Sequence, residues 1–89
     1  MPRYVECRSY LLKVGTTDRY LRLYEAIGYP VQRDYLGEPI GFFFTEVGAL
    51  NKVMHMWGYD SLDARAERRA RLFADPRWLD FLKQSWPLV

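Results

Sequence analysis

One cysteine, Cys7, and one histidine, His55, are the only thiol and the only imidazole in this chain. An internal disulfide and a cysteine-rich zinc site are therefore excluded, and no two- or three-ligand spacing supports a tight zinc or iron centre. Also lacking are a phosphate-cradling glycine loop, a Gly-x-Gly-x-x-Gly element and a serine nucleophile elbow, so neither a nucleotide site nor nucleophilic catalysis is indicated. No run is long and apolar enough to span a bilayer, and Met1 to Lys13 lacks the uncharged core of a secretory signal, so a cytoplasmic protein with a reduced Cys7 is expected. With 13 basic and 11 acidic residues the net charge is only +2, too balanced to imply a nucleic-acid partner.

What is present is apolar and aromatic: 49% hydrophobic and 17% aromatic residues in 89 positions. That is the composition of a folded chain, and residues 1–89 are read as one domain. Domains this small often gain stability from disulfides, metals or a second subunit, and with the first two absent a homodimer is expected.

Alternation over Tyr4–Lys13 predicts a first strand, with Tyr4, Glu6, Arg8, Tyr10 and Leu12 on one face and Val5, Cys7, Ser9 and Leu11 on the other. After Gly15, Thr16 or Thr17 begins a helix whose inner face carries Tyr20, Leu21, Tyr24, Ile27 and Gly28. Pro30 must kink or restart that helix, and Gly37 closes it. Ile40–Thr45 and Leu50–Asp60 read as a hairpin. In its second strand, Asn51, Val53, His55, Trp57 and Tyr59 alternate with Lys52, Met54, Met56 and Gly58. Asp60 or Ser61 caps a helix with a Leu62, Ala66, Ala70 and Phe73 stripe. Asp75-Pro76 starts a last helix that buries Trp78, Leu79, Leu82 and Trp86.

The order β-α-β-β-α plus a C-terminal helix predicts a ferredoxin-like α+β layer with helices on one side of an antiparallel sheet. The small and flexible apolar sets, Val5 with Cys7 and Met54 with Met56, suit packing beneath helices. The opposite, uncovered face would then carry Tyr4, Tyr10, His55, Trp57 and Tyr59, to be closed by a second copy meeting it sheet to sheet. His55 is the one side chain whose ordinary pKa lies near neutrality, so it is the candidate catalytic base. Glu6, Arg8, Tyr10, Asn51, Trp57 and Tyr59 are the candidate ligand-binding residues around it. Equally open is a purely structural role, with Glu6 and Arg8 neutralising one another inside the dimer. Arg65, Arg68, Arg69 and Arg71 are read as a solvated helix face, with Glu67 pairing to Arg71.

The segment Leu50-Asn51-Lys52-Val53-Met54-His55-Met56-Trp57-Gly58-Tyr59-Asp60-Ser61-Leu62 resembles the strand-to-helix signature of the NIPSNAP family. Val5–Tyr10, Thr45–Gly48, Arg65–Ala70 and Asp75–Trp78 are similar to its first strand, hairpin and helices. The resemblance covers nearly the whole chain; Cys7, where a larger aliphatic residue is commoner, departs from it, as does Gly58. It implies a dimeric α+β barrel and little chemistry. The wider superfamily includes cofactor-independent monooxygenases and haem-degrading enzymes. It leaves open a monooxygenase or isomerase acting on an aromatic or polyketide-like molecule, against a non-catalytic dimer that binds a ligand or a partner protein. No cofactor, metal, nucleic acid or membrane is expected as a partner.

Overall fold

A computed structural model describes all residues, Met1–Val89. Its elements run β1 (Tyr4–Leu11), α1 (Thr17–Leu23), a π-helical segment (Tyr24–Gly28), α2 (Tyr29–Leu36), β2 (Gly41–Phe44), β3 (Lys52–Tyr59), α3 (Leu62–Phe73), α4 (Pro76–Ser85) and a closing 3-10 turn (Trp86–Leu88). The sheet is antiparallel in the order β1-β3-β2. Its Cα extents of 37 × 30 × 16 Å are those of two layers, one sheet and one set of helices. This is the expected ferredoxin-like α+β arrangement.

Local chemistry accounts for the boundaries. Ser61 caps α3 by accepting the Ala64 amide at 3.0 Å, and Asp75 caps α4 by accepting the Arg77 amide at 2.8 Å. Pro30 does not break the first helix. A π segment precedes it and accommodates the lost amide bond, and the α-helix resumes at Tyr29. Gly28 lies in that segment because a Cβ there would come within 2.9 Å of the Phe81 ring. The hairpin strands are shorter than alternation predicted, since Gly48 and Asn51 take positive φ values of 116° and 64° and end the ladder in a turn.

The polarity of the sheet is the main correction. The face beneath the helices carries Val53, His55, Trp57 and Tyr59, all buried, with Glu6, Arg8 and Tyr10 beside them on β1. Val5, Cys7, Leu11 and Phe43 are exposed on the opposite face, together with half-buried Met54 and Met56. The two alternating sets were separated correctly, but each lies on the side assigned to the other. Alternation divides a strand into faces without saying which is inside. Size decided the matter here: Trp57 and Tyr59 bury far more area than Cys7 or Met56, and the helices supply partners for the polar groups between them.

Two helix stripes also differ from expectation. In α4, Trp78 and Phe81 are buried, whereas Leu79 is exposed, as is Trp86 in the closing turn. In α3 the inward face is Arg65, Arg69 and Leu72, while Leu62, Ala66, Ala70 and Phe73 are exposed. The arginine run is thus no solvated face: two of its members reach down to Glu6 on β1. Glu67 and Arg71 form no ion pair.

Candidate functional site

Between the sheet and the helices lies a cavity of about 320 Å³, within the lower range of small-molecule sites. The sheet contributes Arg8, Tyr10 and His55. The π segment and its flanks contribute Tyr20, Tyr24 and Gln32, and α3 contributes Arg69 and Phe73. Trp78, Phe81, Leu82 and Ser85 of α4 close the far wall.

His55 is 2% exposed and sits among rings. Phe42, Tyr10 and Tyr24 lie 5.4, 5.8 and 6.1 Å from it, centroid to centroid. The Trp57 indole N–H donates to His55 Nδ1 at 2.8 Å. That bond uses the lone pair on Nδ1 and so places the imidazole proton on Nε2. His55 Nε2 is buried and has no partner within the chain. Burial, reinforced by the positive charge of Arg8, pushes the His55 pKa down from 6.5 to about 4, so the ring is neutral at ordinary pH. Trp78 presents a second unpartnered N–H: its Nε1 is buried and without an acceptor, and its ring lines the same cavity.

One end of the cavity is electropositive. Glu6 accepts from Arg65 through both Nε, at 2.9 Å, and Nη2. Arg8 and Arg69 approach the same carboxylate less closely, at 3.5 and 3.9 Å. Burial alone would raise the Glu6 pKa, but the three guanidinium groups together hold it below its ordinary value. Three positive charges around one negative leave two uncompensated. Arg8 also donates from Nε to Tyr10 Oη at 2.8 Å. Elsewhere in the lining, Tyr24 donates to Gln32 Oε1 at 2.5 Å.

The expected site residues therefore separate. Arg8, Tyr10 and His55 line the cavity. Glu6 and Trp57 act behind them, by anchoring the arginines and by fixing the His55 ring. Tyr59 is buried away from the cavity, and Asn51 lies in the turn after β2, outside it. The sequence reading missed Arg69, Trp78, Tyr24 and Gln32 as cavity residues. For Arg69 a signal existed, since it stands one helical turn from Arg65 and both can face one carboxylate. None existed for Tyr24 with Gln32: residues eight apart on a regular helix differ by about 80° around the axis, and the wider π turn reduces that angle.

Comparison with known proteins agrees with this architecture. A NIPSNAP family protein with unknown function from Agrobacterium tumefaciens, solved by crystallography, superposes with a TM-score of 0.91 at 50% identity, covering 94% of this chain and 76% of that one. Protein NipSnap homolog 2 of Danio rerio is 33% identical over 99% of this chain, and Protein NipSnap of Drosophila melanogaster is 34% identical over 94%. The chain spans only about 30% of the length of each of these two animal relatives. The NIPSNAP family model matches residues 5–89, and the chain belongs to the NIPSNAP family.

Proposed function

We propose that this NIPSNAP chain is a ligand-binding domain that works as a homodimer, taking a small molecule into the cavity beneath its helices. The observation that carries this reading is His55: a neutral imidazole on the cavity wall, with a buried Nε2–H that no group of the chain accepts. Leaving such a donor unpaired costs about 1–3 kcal/mol, which an acceptor brought by a ligand would recover. A cofactor-independent monooxygenase or isomerase would instead need His55 as a base. Its free lone pair is already occupied by Trp57, and a pKa near 4 makes the ring a weak base at neutral pH. The arrangement favours a hydrogen-bond donor over a catalytic base.

The test is a small-molecule screen read by ring ¹⁵N NMR of His55, combined with native mass spectrometry of the purified protein. Binders that shift His55 Nε2 are expected, and His55→Gln should weaken them. A His55 ring indifferent to every compound would return it to a structural role.

The uncovered sheet face supports the dimer. Val5, Leu11 and Phe43 are at least half exposed there, beside Cys7, Met54 and Met56, and they form a contiguous apolar surface. Light scattering across a dilution series is expected to show a dimer, and Phe43→Glu should shift the protein to monomer. A parent protein monomeric at high concentration would end the proposal. No helix is long and apolar enough to cross a membrane.

A further inference from the structure

We infer that the cavity selects an organic monocarboxylate, with its acid group at the Arg8–Arg69 end and its apolar body against Trp78, Phe81 and Tyr24. The inference rests on the proposed ligand-binding role of the cavity and concerns the class of ligand. Three observations lead to it.

The first is charge. Glu6 is engaged closely by Arg65, while Arg8 and Arg69 hold it only at 3.5 and 3.9 Å. Both of these guanidinium groups line the cavity, and no aspartate or glutamate side chain does. An anion there would gain charge-assisted hydrogen bonds from donors that the protein has not saturated.

The second is the imbalance between donors and acceptors. His55 Nε2–H and Trp78 Nε1–H are buried without acceptors. Gln32 Oε1, Tyr10 Oη and His55 Nδ1 already accept from Tyr24, Arg8 and Trp57, and none of them accepts from either of these N–H groups. What these two donors lack is an acceptor in reach. A carboxylate brings two oxygens and a negative charge, whereas an ammonium group brings only donors and a positive charge beside Arg8 and Arg69.

The third is the wall. Nine of the 14 lining residues are hydrophobic, so a bare inorganic anion would leave most of the space unfilled. Trp78 and Phe81 stack at 5.1 Å and present one continuous apolar surface. An aromatic or alkyl body would bury against it.

The experiment titrates the full chain with 1-naphthoate and octanoate, their neutral amides, 1-naphthylmethylamine and inorganic phosphate. Binding is followed by NMR at His55 Nε2 and the Trp78 indole. The acids are expected to move both signals and to bind about tenfold or more tightly than their amides, since each amide replaces an ionic contact by a neutral one. The amine and phosphate should bind no better than the amides. Arg69→Met and Arg8→Met should each bring the acid-to-amide ratio towards one, and Arg69→Lys should restore part of it. If either methionine variant fails to fold, the ratio in the unaltered protein still decides. Amides binding as well as acids, or phosphate binding as well as either, would overturn the carboxylate assignment while leaving the cavity a ligand site. Silence of both signals towards every probe would remove the ligand-binding role as well.

Discussion

Trp57→Ala is expected to lose about 3–5 kcal/mol of stability, a large part of what a domain of this size possesses. Trp57 is wholly buried on β3, the central strand of the sheet, opposite Glu6 on β1. Truncation removes the largest fully buried side chain and leaves a void between sheet and helices that close-packed neighbours cannot fill. It also deletes the N–H that fixes His55. Urea unfolding measures the loss; a change below about 1 kcal/mol would show that the ring is not part of the core. Trp57→Phe separates the two effects. Phenylalanine keeps most of the packing but cannot donate to Nδ1. The neutral ring then loses a hydrogen bond that favours it, and the His55 pKa should rise from about 4 towards its ordinary 6.5. An unchanged pKa in Trp57→Phe would contradict the assigned role of the indole N–H.

Acidification should destabilise the protein through the same histidine, by about 3 kcal/mol once pH has fallen from 6.5 to 4. In the unfolded chain His55 takes up its proton near 6.5, whereas in the fold it does so only near 4. Between those values the unfolded state binds more protons, so stability falls with pH at up to about 1.4 kcal/mol per unit. Above 6.5 this contribution is complete, and below 4 it is gone. The charged groups near the ring are Arg8, Glu6 and Arg69, of which the arginines oppose the imidazolium and Glu6 favours it. Glu6 itself adds a further loss, but only below its ordinary value of 4.5, where its ion pairs with the arginines begin to be neutralised. Chemical unfolding at half-unit pH steps resolves the two. His55→Gln keeps an oxygen acceptor for Trp57 and does not titrate, so its stability should be nearly flat from pH 6.5 to 5. A slope equal to the parent's in that interval would place the acid sensitivity elsewhere.

Local and topological features were legible in the residues themselves. Two-residue periodicity marked β1 and β3, Ser61 and Asp75-Pro76 marked the starts of α3 and α4, and the short connection between Phe44 and Lys52 required a hairpin. Each is set by chain geometry and capping chemistry within a few residues, which is why one sequence suffices to read them. The grouping of Glu6, Arg8, Tyr10, His55, Trp57 and Tyr59 on one face was available for the same reason, because alternation and antiparallel pairing are local rules.

Which side of the sheet that group occupies was decided by tertiary structure alone. Glu6 and His55 read as residues for water or a polar interface because their partners cannot be seen from their own strand. Arg65 and Arg69 stand about sixty positions from Glu6 and reach it only when α3 crosses the sheet. Hydropathy ranks the two faces of β1 in the wrong order, since Val5, Cys7 and Leu11 are more apolar than Glu6, Arg8 and Tyr10 and yet lie outside. The cavity is likewise a product of packing: Trp78, Arg69 and Gln32 come from three separate helices, and no local pattern joins them to His55. The sequence by itself determined the elements, their order and the two faces of each strand. The choice of inner face, the proton position on His55 and the electropositive end of the cavity were decided only when long-range partners met, because the cost of burying a polar group depends on a partner that chain proximity does not supply.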